Sequence, residues 1–361
     1  MHNFNTIGQY VLGRNNNYLF IRFVAASLVI FSHSYHLSGN FNSEPLLRLL
    51  QFIDFSAVAV AIFFVASGFL ISQSFDSRRN IFAFLEARIL RIFPGLILTV
   101  LFTVFIVGAW ATTLPLTEYF KNPETMQYLF NNIKLNTQYT LPGVFRNTPF
   151  PNGVNGALWT LRLEFYMYLM VAALGMLGLL KSRWLCNLLL PFCFIIFLWH
   201  PTALFFIPAE WALPHLKLAG CFMLGLLAYV NRAHIPLNFT LGAGLTALTF
   251  AGFGTSWFMY SFYVSLAYIT LLLAYHPLLR IDQFNRIGDY SYGLYIFGFP
   301  VQQSLVYLLG KPDPLLLFGL TFPLTLLLAV FSWHFIEKPS LNLKGKLSKK
   351  FFWRRRTAIK Q

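Results

Sequence analysis

The sequence has 361 residues, of which 57% are hydrophobic and only 11% are charged. Soluble globular proteins carry about 25% charged residues, because water must solvate their surface. The composition therefore excludes a soluble globular domain, and it equally excludes disordered and collagen-like chains. The three cysteines, Cys186, Cys193 and Cys221, lie in apolar stretches, which argues against a disulfide-stapled fold. These properties predict an all-α polytopic membrane protein.

Ten apolar stretches are long enough to predict about ten transmembrane helices, because a span needs about 20 mostly apolar residues. The stretches are 18–38, 52–74, 92–114, 157–180, 184–207, 216–231, 235–252, 257–277, 288–309 and 315–336. One long connection, 115–156, is rich in Pro and Asn. Loops of this length are typically functional or disordered.

The distribution of basic residues predicts the orientation, because Lys and Arg concentrate on the cytoplasmic side. With both termini cytoplasmic, 19 of the 27 Lys and Arg residues fall in inner segments and six in outer ones. This asymmetry accounts for the net charge of +15 without a nucleic-acid partner. The basic and aromatic run from Lys349 to Arg356 suits an anionic bilayer surface. We expect a membrane domain over residues 1–340 and a basic cytoplasmic tail over 341–361.

The first apolar stretch contains the ionisable residues Arg22 and His33. Eleven residues complete about three helical turns, so both side chains share one helix face, about 16 Å apart along the axis. Buried ionisable groups are costly in a membrane and point to function. The alternative is that Arg22 extends to the inner head groups while His33 is satisfied at the outer end beside His36.

The fourth stretch carries Arg162 and Glu164, which point to different sides of a helix and cannot pair locally. Glu164 near His33 would supply a carboxylate that orients a histidine base. The alternative is an interhelical ion pair that holds the bundle together.

The second stretch contains Ser67-Gly68, which permits close helix approach, and packing alone would explain it. Arg88 and Arg91 follow at a spacing of three residues. Two guanidinium groups on the inner surface could bind phosphates, whereas the alternative is positive-inside anchoring.

Motifs for other chemistries are weak in this sequence. The eight histidines show no HxxxH or HExxH spacing, the cysteines lack metal-ligand spacing, and neither GxSxG nor a P-loop occurs. We therefore expect neither a bound metal nor a tightly bound cofactor.

Six motifs in order resemble the acyltransferase-3 family of integral membrane O-acyltransferases, which includes bacterial polysaccharide and lipopolysaccharide O-acetyltransferases. The resemblance covers about residues 15–340. Its most specific element is Arg-x10-His, here Arg22 and His33. The others are Phe-Phe-Val-x-Ser-Gly-Phe-Leu at 63–70, Arg-x-x-Arg at 88–91, Leu-Trp-Thr-Leu-Arg-x-Glu at 158–164, Asp-Tyr-Ser-Tyr-Gly-Leu-Tyr-Ile at 289–296 and Phe-Ile-Glu-Lys-Pro at 335–339.

The resemblance implies transfer of an acyl group, usually acetyl, from cytoplasmic acyl-CoA to a sugar hydroxyl of an envelope glycan at the inner membrane. The chain shows no appended hydrolase-like domain, so we expect a stand-alone sugar O-acetyltransferase. His33 is the expected base or acyl carrier, with Arg22 guiding the donor and Glu164 orienting His33. The remaining expected roles are donor binding by Arg88, Arg91 and Ser67, and acceptor binding by Asn155, Trp159 and Tyr168.

Two positions depart from the family pattern. Many relatives have His where this chain has Gly298, so that histidine's role has no counterpart here, and Lys338 replaces a common Arg. Three alternatives stay open from sequence: a transporter or flippase that uses the buried charges as a relay, a structural partner in an envelope complex, and an acyltransferase acting on a small lipid or antibiotic. The acceptor, the leaflet of transfer and the oligomeric state are not predicted.

Overall fold

The computed structural model describes residues 6–11, 16–78, 80–200 and 209–346. Within these ranges the chain is helical, and each predicted apolar stretch contains a helix. We number these helices α1 Tyr18–Leu37, α2 Phe55–Arg78, α3 Ile81–Phe102, α4 Trp159–Met176, α5 Arg183–Trp199, α6 Ala209–Val230, α7 Phe239–Ala251, α8 Phe258–Tyr275, α9 Ser291–Leu309 and α10 Pro314–Ser332. Arg79 and the basic run from Lys349 to Arg356 lie outside the described residues.

Seven helical segments of the described chain are long and apolar enough to cross a membrane. They are Tyr18–Leu37, Phe55–Arg78, Ile81–Ala111, Gly156–Met176, Leu213–Val230, Phe258–Tyr275 and Pro314–Leu341. Helices α5 and α7 are shorter, and α9 has the length but carries several Gly, Tyr and Gln residues. The chain is therefore a polytopic helical membrane protein, whereas ten spans and the cytoplasmic termini stay predictions.

The chain forms two compact units, and each collects separate parts of the sequence. The first unit comprises residues 1–22, 60–81 and 166–288, and the second comprises 23–59, 82–165 and 289–361. The first unit has an apolar core in which aromatic side chains meet edge to face. Phe69 of α2 lies 5.4 Å from Tyr229 of α6 and 5.4 Å from Tyr275 of α8, measured between ring centroids.

Close packing of α2 on α6 explains the Ser67-Gly68 pair. A Cβ atom on Gly68 would overlap the carbonyl oxygen of Phe222, and one on Gly225 would overlap that of Val65. The absence of side chains at these two positions lets the two backbones approach, as is common for small residues in membrane helices. This contact supports the packing interpretation of Gly68.

In the second unit, α9 forms the centre and is buried along most of its length. Gln302 donates to the carbonyl oxygen of Ile30 and to the Ser34 hydroxyl, both at 2.8 Å. The neighbouring Gln303 donates to the carbonyl oxygens of Phe150 and Gly153 at 2.8 and 2.6 Å. These amide groups attach α1 and the long connection to α9.

The long connection between α3 and α4 is ordered rather than loose. It contains the helices Leu116–Lys121 and Pro123–Ile133, and Tyr119 is fully buried with its hydroxyl donating to the carbonyl oxygen of Val104 at 3.0 Å. Burial raises the pKa of Tyr119, so this phenol stays protonated as a donor. The connection is therefore a packed part of the second unit.

Helix α3 starts earlier than the sequence predicts. The expected span begins at residue 92, but the helix begins at Ile81 and continues to Ala111, a length of 31 residues. Such a helix is about 46 Å long and exceeds the 30 Å hydrocarbon core by about three turns. Arg88 and Arg91 thus lie on the helix itself, and its excess length can hold them near the membrane surface.

Candidate functional site

Arg22 and His33 lie on one continuous helix, α1, as the sequence predicts. The 20 residues of α1 match the 30 Å hydrocarbon core, with Arg22 and His33 each about 6 Å from an end. In the first unit, the Arg22 guanidinium carbon lies 5.9 Å from the centroid of the Phe63 ring of α2. This cation–π contact holds Arg22 against the Phe-Phe-Val motif.

His33 lies in the second unit between two rings. Its imidazole centroid is 5.5 Å from Phe299 of α9 in an edge-on arrangement, and 5.9 Å from His36, one helical turn further along α1. The two histidines therefore form a pair on the face of α1 that meets α9. A neutral imidazole is the side chain that most often serves as a general base.

His36 is paired with a carboxylate, Asp54, which immediately precedes α2. The distance from His36 Nε2 to Asp54 Oδ2 is 3.2 Å. Asp54 also accepts from the Ser56 hydroxyl and the Ala57 backbone N–H, both at 2.7 Å. Two hydrogen bonds thus fix the carboxylate, which lies within ion-pair distance of the His36 ring and forms a histidine–carboxylate pair next to His33.

The pKa of Asp54 is consistent with these contacts. Burial acts to raise this pKa, but the contact with His36 and the bonds from Ala57 and Ser56 outweigh burial and lower it to about 2. Asp54 is therefore ionised at any physiological pH, and it presents a permanent negative charge to His36.

Glu164 lies on α4 in the second unit. The carboxylate beside the histidine pair is Asp54, whereas Glu164, half-buried on α4, interacts electrostatically with Tyr295 of α9. The Tyr295 hydroxyl lies 2.8 Å from the hydroxyl of Thr160. Glu164 is therefore near the α4–α9 contact, its pairing with His33 stays a prediction, and the carboxylate that follows His33 and His36 is Asp54.

Asn155 immediately precedes Gly156, which borders the same Phe299 ring as His33. Asn155 is fully buried, donates to the carbonyl oxygen of Ile296 at 2.9 Å and accepts from the Ala157 N–H at 3.1 Å. The next residue, Gly156, abuts Phe299, and a Cβ there would lie 2.6 Å from that ring. The structure therefore brings the start of α4 close to His33, although both bonds of Asn155 are structural.

The other expected substrate residues occupy separate places. Trp159, half-buried, begins α4 in the second unit, whereas Tyr168 is 3% exposed in the first unit. Ser67 is half-buried on α2, next to the Gly68 contact with α6. Arg162 lies 3.4 Å from the side-chain oxygen of Asn136 in the long connection.

Arg91 joins three of the sequence motifs in one ion network. Its guanidinium lies 2.6 Å from an Asp289 oxygen just before α9, and 3.6 Å from a Glu337 oxygen after α10. Ser291 donates to Asp289 at 2.5 Å, and Ser332 donates to Glu337 at 2.8 Å. The ring of Tyr292 lies 5.5 Å from the Arg91 guanidinium carbon. Arg91 therefore connects α3 with α9 and with the end of α10.

The two arginines of the Arg-x-x-Arg motif differ in their surroundings. Arg91 has a side chain 14% exposed, donates one hydrogen bond to Asp289 and forms a longer ion pair with Glu337, whereas Arg88 lies over the ring of Phe84 at 5.7 Å. A guanidinium has five N–H donors, and the hydrogen bond to Asp289 uses one of them. The contacts favour a structural role for Arg91, and phosphate binding by Arg88 and Arg91 stays a prediction.

Sequence reasoning missed Asp54, Asp289 and Glu337. Asp289 and Glu337 lie in the motifs at 289–296 and 335–339. A carboxylate within a motif of such an apolar chain indicates that it has a buried partner. Asp54 offered a weaker signal, an acidic N-cap directly before an apolar helix with Ser two residues later. The residue Gly298, where many relatives have His, packs on Ile30, and a Cβ there would lie 3.0 Å from that side chain.

Comparison with known proteins identifies the family. Residues 16–334 match the acyltransferase-3 family, described as "Acyltransferase domain". The chain is 30% identical to a protein of Shigella phage Sf6 named "O-acetyl transferase", over 89% of this chain and 94% of that protein. It is 27% identical to "Nodulation protein 10" of Rhizobium leguminosarum bv. viciae, over 93% of this chain and 95% of that protein. No solved structure matches the chain.

The chain belongs to the acyltransferase-3 family and is a membrane O-acyltransferase. The family match includes both histidines of α1, Asp54 and the Arg91–Asp289 pair.

Proposed function

We propose that this O-acyltransferase moves an acyl group, most simply acetyl, from cytoplasmic acyl-CoA to a sugar hydroxyl of a cell-envelope glycan such as lipopolysaccharide O-antigen or exopolysaccharide. The observation that carries the proposal is His33, which lies beside the His36–Asp54 pair on the family's Arg-x10-His helix. The printed name of the phage relative, "O-acetyl transferase", supports acetyl as the group transferred. The enzyme would work in the inner membrane, with the bilayer as its solvent.

In this proposal His33 is the base. Its neutral imidazole takes the proton of the sugar hydroxyl while the oxygen attacks the thioester carbonyl, and the C–S bond then breaks. The proton returns from His33 to the sulfur, so that free CoA and an O-acyl ester are the products. His36, held by Asp54, keeps a polar and ordered environment beside the reacting histidine. A covalent acyl-His33 intermediate is the alternative form of the same transfer.

The other residues have supporting roles. Arg22, near the end of α1 predicted to be cytoplasmic, guides the donor, and Arg88 binds CoA phosphates, with Ser67 beside the donor path. Arg91 acts mainly by holding α3, α9 and α10 together. Trp159 and Tyr168 are the proposed acceptor residues, and Asn155 orders the start of α4 near His33.

The test uses purified protein in nanodiscs with acetyl-CoA labelled in the acetyl group and a lipid-linked glycan as acceptor. We expect label in the glycan and free CoA as the second product. His33→Ala should lower the transfer rate by at least about 100-fold, the scale of general base catalysis. His234→Ala, an exposed histidine in a turn, is the control and should keep the rate.

Two results would contradict the proposal. Normal transfer by His33→Ala would show that His33 is a packing residue. Movement of the glycan across the bilayer without consumption of thioester would favour a flippase. A labelled adduct on His33 before acceptor is added would support the covalent form.

A further inference from the structure

A cavity lies between three helices of the first unit, α5, α6 and α8. Its volume is ≈ 410 Å³ and its lining is almost wholly apolar, with Leu190, Met223 and Leu224 among the lining side chains. Sites for small ligands have volumes of roughly 300–1,000 Å³ and combine apolar walls with a few polar groups. Here Lys217 supplies the charge.

The depth of the cavity matches one leaflet of a bilayer. Lys217 and Leu227 line opposite ends along α6, and ten residues of helix correspond to about 15 Å, half of the 30 Å hydrocarbon core. Lys217 stands four residues after Leu213, where the apolar span begins, so its ammonium group can reach the head-group level. Tyr260, in the first turn of α8, lines the same end.

The side of the cavity is open. Leu213, Tyr260 and Val264 line it and are nevertheless 56%, 59% and 45% exposed. In a membrane-spanning segment this opening faces hydrocarbon instead of water. An apolar chain can therefore enter sideways from the bilayer, whereas a water-soluble ligand would have to cross lipid.

Lys217 is half-buried, and no carboxylate forms an ion pair with it among the side chains that the structure describes. A cation at this depth is stabilised by an anion at the membrane surface. A bilayer phospholipid supplies both this anion, in its phosphate, and an apolar chain that fits the cavity.

We propose that the cavity binds an anionic phospholipid, with one acyl chain between α5, α6 and α8 and the phosphate on Lys217. The cavity lining includes neither histidine of the pair, and occupancy of the cavity does not depend on the proposed transfer reaction. A tightly held lipid here would fill the space between α5 and α8 and fix both helices on α6.

The test uses the full chain in detergent, freed of lipid, and phosphatidylglycerol that carries a photoactivatable diazirine in its acyl chain. Cross-links should map to α6 between residues 213 and 227 and to the facing parts of α5 and α8. Native mass spectrometry then compares retention of phosphatidylglycerol with that of diacylglycerol of the same chains, which lacks the phosphate.

Lys217→Gln should weaken retention of phosphatidylglycerol by about 10-fold, the effect of losing one charged hydrogen bond, and leave diacylglycerol unchanged. Leu224→Trp, which fills the cavity, should weaken retention of both lipids. The matched controls are Lys134→Gln on the exposed connection and Leu327→Trp on the exposed face of α10. Thermal melting and gel filtration confirm that the variants fold.

Cross-links spread evenly over other helices would overturn the proposal. So would equal retention of phosphatidylglycerol by wild type and Lys217→Gln. Competition by inorganic phosphate alone, at the same concentration as the lipid, would show an anion site without a lipid chain and would also overturn it.

Discussion

At the residue scale, the Asp54–His36 pair should influence how His33 acts. We expect Asp54→Asn to lower kcat by about 10- to 100-fold with little change in KM for acyl-CoA, because the pair orders the group beside His33 without touching the donor. Asn is also a good N-cap, so α2 should keep its start. Steady-state kinetics of the purified enzyme measure both constants.

Comparison of Asp54→Asn, His36→Gln and the variant that carries both substitutions distinguishes a positioning role from general destabilisation. If the pair acts as a unit, the double variant should be no slower than the slower single variant. Asp282→Asn, an exposed carboxylate in a short helical turn, is the control and should leave kcat unchanged. Independent and additive effects of the two substitutions would contradict a positioning pair.

The low pKa of Asp54 also predicts how stability depends on pH. Because its pKa in the folded protein, about 2, is below the ordinary 3.8, the folded state favours the ionised form. The resulting stabilisation, about 2 kcal/mol, is present above pH 4 and is lost as the pH falls through 2. Thermal unfolding in detergent between pH 5 and 2 should show the stability gap between wild type and Asp54→Asn narrowing by this amount. A constant gap would contradict the prediction.

At the element scale, we expect Arg91 to contribute to stability and Arg88 to contribute to donor binding. Arg91→Ala leaves two buried carboxylates without their cation, and breaking such a network typically costs about 3–5 kcal/mol. A large fall in Tm is therefore expected, and Arg91→Lys should recover part of it. Arg88→Ala should instead raise KM for acyl-CoA by about 10-fold at unchanged Tm, because one charged phosphate contact is lost.

Because Tm and KM are measured independently, the role assigned to each arginine can be contradicted separately. If Arg91→Ala keeps its Tm and raises KM, Arg91 binds the donor. If Arg88→Ala changes neither value, Arg88 serves only to anchor α3 at the membrane surface.

The helices themselves could be predicted from apolar length, because hydrocarbon requires every backbone polar group to be bonded within its own helix. Their ends could not, as α3 shows: the apolar stretch begins at residue 92, yet the helix begins at Ile81 and extends beyond the membrane core. Local spacing correctly put Arg22 and His33 on one helix. It could not identify Asp54 or Glu337, since contacts between residues distant in sequence depend on packing that periodicity does not encode.

At the scale of the whole molecule, the length of α1 determines how far apart Arg22 and His33 lie across the membrane. The helix equals the hydrocarbon core, with Arg22 near one face and His33 near the other, about 16 Å apart. If the donor arrives from the cytoplasm, its thioester must reach a histidine near the outer face. The orientation of the chain therefore determines whether the acyl-CoA donor must extend across the membrane to reach His33.

The orientation can be tested by cysteine labelling in a background without Cys186, Cys193 and Cys221. The predicted topology puts Lys134 outside and Lys181 inside, and both side chains are exposed. Lys134→Cys should react with a membrane-impermeant maleimide in intact cells, whereas Lys181→Cys should react only after permeabilisation. Retained acyl transfer by each variant is the control for correct insertion. The reverse pattern would put His33 near the cytoplasmic face, and cytoplasmic acyl-CoA would then reach it without crossing the membrane.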